Sequence, residues 1–224
     1  MKILLIAATA AEIQPFREYL HADKKLIAPD TYMLNSSTIE IQVTGIGPVA
    51  TAYNLGRLLT SHKYDLVIQA GVGGSFDRSI PLGDVVIVNN DCFADMGAED
   101  HDNYLDIFEM GLISKDEAPF SNGCLPALEM SWDLFRNMKA VKGITVSMVS
   151  GNSHTIQRLA ATYGPVTESM EGAAMHYACR IAGVPFVQVR AVSNYVEPRD
   201  KSKWQMGKAI KALNETLQSL VNKL

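Results

Sequence analysis

The sequence predicts a three-layer α/β/α fold, and three observations support this prediction. Apolar runs typical of strands buried on both faces occur at residues 2–8, 66–70 and 185–192. Segments with helical spacing, such as residues 11–20, lie between these runs. No internal repeat or low-complexity linker interrupts the alternation over the 224 residues, so we expect one domain spanning residues 1–224.

The remaining elements follow from the same patterns, in chain order. After the first strand and helix, residues 31–34 and 38–43 predict a hairpin, and a helix over 49–60 follows the turn formed by residues 45–48. Further strands are predicted at 66–70, 84–88 and 144–149, with a helix at 155–162. Residues 201–224 are predicted to form a long closing helix, whose inward stripe is Trp204, Ile210, Leu213, Leu217 and Leu220.

Composition excludes several classes of protein. The apolar share is 47% and the net charge is −4, and a mildly acidic chain argues against nucleic-acid binding. No apolar run reaches the length of about 18 residues that a membrane-spanning helix needs. Cys92, Cys124 and Cys179 are odd in number and lack CxxC spacing, which argues against a disulfide framework or a zinc site. We therefore expect a cytoplasmic protein with reduced cysteines and without a metal or a cofactor.

The stretch from residue 167 to residue 200 contains the polar groups around which a site could form. Glu171 follows Ser169, a favourable helix-capping residue, and precedes a run with helical spacing. Asn194 follows the apolar strand at 185–192. Ligands of open α/β sheets bind beyond the carboxyl ends of strands, so both side chains could face one pocket. Taken alone, the pattern also allows a first-turn acid stabilised by the helix dipole and a simple turn asparagine.

Two other polar or glycine-rich segments are less informative. Gly71 to Gly74 follows a strand, but Phe76 occupies the position where a dinucleotide-binding motif needs its third glycine. A tight turn or a close backbone approach remains open for these glycines. The acidic run at residues 95–106 lacks the spacing of a calcium loop, so we interpret it as a solvated loop.

Three motifs together resemble the nucleoside phosphorylase/hydrolase superfamily: SMEGAA at Ser169, RAVSN at Arg190, and the first strand with Glu12. Within it the chain is similar to the adenosylhomocysteine/methylthioadenosine nucleosidase branch. The sequence SNY, followed by RD and Trp204, is closer to the branch that cleaves futalosine. The resemblance implies a central mixed, twisted sheet, a small nucleoside as the binding partner, and a homodimer or higher homo-oligomer whose neighbouring subunit completes the pocket.

The resemblance also implies a role for each matching residue. It assigns Glu12 to the attacking water, Met170 to the ribose, Glu171 to the ribose hydroxyls, and Asn194 to the leaving base. The remaining pocket positions that it implies are Val72, Gly73, His154 and Thr155, of which His154 stands where related nucleosidases have an aromatic residue.

The implied reaction is hydrolysis of a hypoxanthine nucleoside. Nucleosidases specific for adenine have aspartate where this chain has Asn194, and an amide N–H can donate to O6 or N7 of a 6-oxopurine. No Gly-Arg loop of the kind that binds phosphate follows the first strand, which favours water as the nucleophile. The expected activity is cleavage of futalosine in menaquinone biosynthesis. The alternatives are a methylthioadenosine or adenosylhomocysteine nucleosidase, a purine nucleoside phosphorylase, and a non-catalytic nucleoside-binding protein.

Overall fold

The computed structural model describes residues 1–101, 103–128 and 135–224. Its strands are β1 (Lys2–Ala7), β2 (Lys25–Ala28), β3 (Thr31–Met33), β4 (Thr38–Val43), β5 (Leu66–Ser75), β6 (Val85–Phe93), β7 (Gly97–Asp100), β8 (Asn103–Asp106), β9 (Leu125–Pro126), β10 (Ala140–Thr145), β11 (Thr167–Ser169) and β12 (Phe186–Tyr195). Its helices are α1 (Ala10–Asp23), α2 (Pro48–Ser61), α3 (Ser153–Tyr163), α4 (Gly172–Ala182) and α5 (Met206–Val221), and Lys201–Lys203 forms a short 3-10 helix.

The main sheet is mixed. Over the described residues, its strands run in the order β11-β10-β6-β12-β5-β1-β4-β3-β2, with β9 paired to β6. Strand β1 is parallel to β4 and β5, and β12 is parallel to β5 but antiparallel to β6. Strand β11 also pairs with β5, which closes this end of the sheet on itself. The mixed sheet with helices on both faces confirms the predicted fold class.

Both faces of the sheet are covered, which explains the unbroken apolar run of β1. Ile3 and Leu5 belong to the apolar cluster that contains the buried side chains of α1 and α5. Leu4 and Ile6 belong to the cluster that contains those of α2 and α4. Successive side chains of a strand point to opposite faces, so a strand between two helical layers needs apolar residues at every position.

Several predicted elements are confirmed, with shifted ends. The first helix, the hairpin of β3 and β4, and α2 lie where the sequence placed them. Gly183 ends α4 in the left-handed conformation, with φ 65°, as expected of a glycine that follows a helix. The predicted closing helix is wrong at its start, because a 3-10 turn precedes α5. Strand β2 was not predicted.

The strand predicted at residues 144–149 is also misplaced, since β10 runs from Ala140 to Thr145. It pairs with β6 through a register shift at Val141 and Lys142, and with β11 at its end. The acidic segment at residues 95–106 is not a simple loop, because β7 and β8 form a hairpin within it. Asp102, one of the acidic residues in that run, lies outside the described residues.

Cys92 and Cys124 form a disulfide, which corrects the expectation of reduced cysteines. The reason is tertiary: Asp91 pairs with Leu125 where β6 meets β9, and this places the two cysteines with their Cα atoms 4.5 Å apart. Sequence spacing of 32 residues gives no sign of that pairing. Cys179 is a free, buried thiol. The cytoplasmic location and the single domain over residues 1–224 stay predictions.

Of the helices in the described part of the chain, none combines the length and apolarity needed to cross a bilayer.

Candidate active site

A cavity of about 350 Å³ opens where β1, β5 and β12 end and α4 begins. These strands are mutually parallel, so their carboxyl ends lie together, as expected for a ligand site in an α/β sheet. The structure brings the following predicted residues to its wall: Glu12, Val72, Gly73, Met170, Glu171 and Asn194. Apolar side chains from α5 and the segment before it, including Trp204, Met206 and Ile210, cover the opposite side.

Glu12 is held rigidly in the first turn of α1. One carboxylate oxygen accepts hydrogen bonds from the backbone N–H and the hydroxyl of Thr9, both at 3.0 Å. The other accepts from the backbone N–H of Val72 in β5, also at 3.0 Å. The residue is 9% exposed. These three donors, on two sides of one buried carboxyl group, fix its direction against β5.

Glu171 occupies the N-cap position of α4 and joins that helix to the rest of the site. Its Oε1 accepts a hydrogen bond from the backbone N–H of Gly47 at 3.0 Å. Its Oε2 lies 3.5 Å from each terminal nitrogen of the Arg190 guanidinium. Ser169 caps the helix from just before it, because its hydroxyl accepts from the backbone N–H of Gly172 at 3.2 Å.

Arg190 is a site residue that sequence reasoning missed. It is 2% exposed, and its guanidinium also donates to Gln69 Oε1 at 3.1 Å and to the carbonyl of Val72 at 3.3 Å. A buried charge needs a partner of opposite sign, and Glu171 supplies it. The sequence did contain one sign of this pairing, since Gln188 and Arg190 are two long polar residues in an otherwise apolar strand. Side chains of this kind are rarely buried unless they have polar partners.

The glycines at residues 71–74 do not form the tight turn that the sequence left open. Strand β5 continues through them to Ser75, and close approach explains the absence of side chains. A Cβ on Gly71 would overlap the Arg190 guanidinium and lie 3.0 Å from Glu12 Oε1. A Cβ on Gly73 would lie 2.9 Å from the carbonyl oxygen of Glu168. Gly71 therefore lets Arg190 pass beside Glu12 toward Glu171.

Asn194 is fixed in one orientation by its neighbours. The hydroxyl of Ser193 donates to Asn194 Oδ1 at 2.9 Å, and Nδ2 donates to the carbonyl of Tyr195 at 3.0 Å. One N–H of the amide remains for a ligand. The side chains of Arg199 and Asp200, a few residues further along the chain, contact other groups, namely the Trp204 ring and Ser202.

Glu168 is a second buried acid that sequence reasoning did not select. It is 5% exposed and lines the cavity beside Asn194. Its carboxylate accepts from the backbone N–H of Ser150 at 2.9 Å and from the hydroxyl of Ser150 at 2.5 Å. Burial raises the pKa of Glu168, a shift that the hydrogen bonds from Ser150 oppose and the nearby charge of Asp95 adds to.

His154 and Thr155 do not reach this cavity. His154 is exposed in the first turn of α3, where its backbone N–H donates to Asn152 Oδ1 at 2.9 Å. Thr155 lines a separate cavity of about 220 Å³ together with Arg158. From the segment between β10 and α3, Val149 lines the cavity, and Ser150 lines a smaller recess of about 50 Å³ that shares Glu168 and Asn194 with it.

Comparison with known proteins agrees with this geometry. The family model described as the phosphorylase superfamily matches residues 2–224, so the chain belongs to that superfamily. It is 31% identical to the futalosine hydrolase of Streptomyces coelicolor over 81% of this chain and 77% of that protein. Within the superfamily, the chain belongs with the futalosine hydrolases. It is also 29% identical to the futalosine hydrolase of Acidothermus cellulolyticus, over 98% of this chain and 90% of that protein.

Solved structures share the fold at lower identity. The native structure of futalosine hydrolase from Helicobacter pylori matches with a TM-score of 0.78 and 17% identity, over 100% of this chain and 98% of that one. The S-adenosylhomocysteine nucleosidase of Streptococcus pyogenes, solved with 5-methylthiotubericidin, matches with a TM-score of 0.79 and 20% identity, over 100% of this chain and 97% of that one. At these identities the likeness supports the fold class.

Proposed function

We propose that the chain hydrolyses the N-glycosidic bond of futalosine and releases hypoxanthine and dehypoxanthine futalosine, a step of menaquinone biosynthesis. The observation that carries this proposal is that Glu12, Glu171 and a fixed Asn194 amide line one cavity. The family relationship to futalosine hydrolases supports the same substrate. The bond that breaks joins C1′ to N9 of the base, and the bond that forms joins C1′ to a water oxygen.

Glu171 binds the sugar in this proposal. Its carboxylate keeps acceptor capacity beyond the contacts with Gly47 and Arg190, so it accepts from the 2′- and 3′-hydroxyls. The same negative charge stabilises the positive charge that develops on the ribose ring as the base leaves. Met170, beside Glu171 in the cavity wall, packs against the ribose.

Glu12 holds and deprotonates the attacking water. Its hydrogen bonds from Thr9 and Val72 hold the carboxylate in one direction, and a carboxylate held in this way can accept a proton from a bound water. None of the described residues that line the cavity is Lys or Arg. The nearby Arg190 is buried and is paired with Glu171. A phosphate nucleophile would have no cation here, which supports water.

Asn194 assists departure of the base. The free N–H of its amide donates to N7 or O6 of hypoxanthine and stabilises the negative charge that the leaving purine acquires. Val72 and Gly73 present extended backbone to the base and ribose, and the missing side chain at Gly73 lets the Glu168 backbone pack against this part of β5.

We also propose a homodimer whose second subunit completes the pocket. Exposed apolar side chains continue from the cavity wall at Ile46, which is 63% exposed, along α2 to Val49 and Tyr53, which are 81% and 70% exposed. Ile181 of α4 is 62% exposed, and α4 packs against α2. Apolar patches of this kind mark association surfaces. Light scattering of the wild type and of Val49→Asp tests this, and a monomeric wild type contradicts it.

The proposed reaction is tested by supplying futalosine, inosine and methylthioadenosine separately, each with and without phosphate. We expect hypoxanthine release from futalosine at the same rate in both buffers. Faster cleavage of methylthioadenosine favours the related nucleosidase activity, and a requirement for phosphate favours a phosphorylase. Tight binding without base release favours a non-catalytic nucleoside-binding protein.

A further inference from the structure

We propose that Glu168 is a specificity-determining residue that accepts a hydrogen bond from the N1–H of a 6-oxopurine base. The proposal rests on the proposed function, because it concerns the base end of the same cavity. Glu168 takes no part in the bond cleavage proposed above, and recognition of the base would explain why this buried acid lines the cavity.

Glu168 and Asn194 flank one residue of β5. Glu168 is directly opposite Gly74 in the pairing of β11 with β5, and Asn194 is opposite Gly74 in the pairing of β12 with β5. Directly paired residues point to the same face of a sheet, and neighbouring strands lie about 4.8 Å apart. Asn194 Nδ2 lies 3.3 Å from the point where a Cβ of Gly74 would be. The same point lies 2.9 Å from Val196 Cγ2, so the missing side chain of Gly74 makes space for Asn194 and Val196, and Glu168 and Asn194 flank Gly74 from the two neighbouring strands.

Both residues line the main cavity and also a smaller recess of about 50 Å³, and Trp204 lines both spaces as well. A flat base that enters along Trp204 meets an amide on one side and a carboxylate on the other. The base end of the cavity is thus built from a donor at Asn194 and an acceptor at Glu168.

The carboxylate of Glu168 has unused acceptor capacity. Ser150 supplies one hydrogen bond to each oxygen, whereas a carboxylate has about four acceptor positions. Among the described residues, no lysine, arginine or histidine forms an ion pair with it, and Asp95 adds repulsion. An ionised buried group without a cation is costly unless donors satisfy it. A ligand N–H at this position meets that requirement.

The pairing distinguishes two kinds of purine. Hypoxanthine presents an acceptor at O6 and a donor at N1–H, which match the amide of Asn194 and the carboxylate of Glu168. Adenine presents a donor amine and an N1 lone pair, which mismatch both. A flipped Asn194 amide could accept from the 6-amino group of adenine. The contact at N1 would stay mismatched, because an ionised carboxylate of Glu168 can only accept hydrogen bonds. A site built to pair one pattern rejects the other through polar groups left unpaired.

The test compares futalosine with its 6-amino counterpart, which differs from it only at the base. We expect the wild type to prefer futalosine in kcat/KM by at least about 100-fold. In Glu168→Gln, the new amide can donate to N1 of adenine and still contact Ser150, so the preference should fall by at least about 10-fold, with the 6-amino substrate gaining. The matched control is Ser150→Ala, which removes the hydroxyl contact but leaves the carboxylate, and should keep the wild-type preference.

An unchanged preference in Glu168→Gln, with both substrates slowed equally, overturns the inference and leaves Glu168 as a tether for the Ser150 segment. If that variant does not fold, the wild type still decides. Product inhibition by hypoxanthine should then be at least about 10-fold stronger than inhibition by 1-methylhypoxanthine, which lacks the N1–H, and equal inhibition overturns the inference. Failure of the wild type to release base from either substrate would instead contradict the proposed function.

Discussion

Replacing Glu12 by glutamine tests the proposed water-activating group with little change of shape. The wild-type carboxylate serves donors on two sides, Thr9 on one and the N–H of Val72 on the other. An amide has one oxygen, so Glu12→Gln must place its NH₂ against one of these donors. Leaving a buried N–H without its acceptor costs about 1–3 kcal/mol of stability. Removing a general base lowers turnover by about 100- to 10,000-fold, or roughly 3–5 kcal/mol of barrier.

The assay follows hypoxanthine release from futalosine under saturating and subsaturating conditions, together with thermal unfolding of each protein. We expect kcat to fall by at least about 100-fold while KM changes by less than about threefold, since Glu12 acts on water and leaves the nucleoside contacts in place. Glu18→Gln, an exposed change on the same helix, should leave both constants near wild type.

Near-normal turnover in Glu12→Gln would refute this reasoning and reduce Glu12 to a residue that caps the first turn of α1. A rise in KM as large as the fall in kcat would show instead that Glu12 positions the substrate.

Further predictions concern three other side chains. Glu171→Ala should impair both binding and turnover, and a 2′-deoxy substrate should suffer little additional loss in that variant; independent, additive losses would remove the contact between Glu171 and the 2′-hydroxyl. Asn194→Asp should shift preference toward the 6-amino substrate while lowering activity on futalosine, and an unchanged ratio would show that Asn194 does not contact the 6-position. Burial raises the pKa of the Asp91 carboxyl to about 6 from its usual 3.8. The folded state therefore binds this proton more tightly than the unfolded state, and the stability gained from it is complete below pH 3.8 and is lost as the pH rises through 6. Urea unfolding at pH 4 and pH 7 should therefore show wild type gaining up to about 3 kcal/mol relative to Asp91→Asn on acidification, and a constant difference would contradict the shift.

The sequence predicted the site best where a polar residue directly follows an apolar strand or opens a helix. Glu12 and Asn194 meet in the cavity because β1 and β12 both pair in parallel with β5, and Glu171 reaches the same cavity from the start of α4. Local pattern fixes such positions, since a strand end and a helix start can both be read from hydrophobic spacing.

Residues whose surroundings come from distant segments could not be predicted. Arg190 is paired through contacts across β5 and α4, and Glu168 through Ser150, and neither partner is close in sequence. The pocket position of His154 was implied by the family resemblance alone, and the structure places this residue on the exposed first turn of α3. The disulfide of Cys92 with Cys124 depends on the pairing of β6 with β9, which cannot be predicted from a local sequence pattern.

The most direct test of the central claim is hydrolysis of futalosine in phosphate-free buffer made with heavy-oxygen water. The account predicts stoichiometric release of hypoxanthine and one heavy oxygen at C1′ of the sugar product. Absence of hypoxanthine, or its appearance only when phosphate is added together with a sugar phosphate, would contradict it.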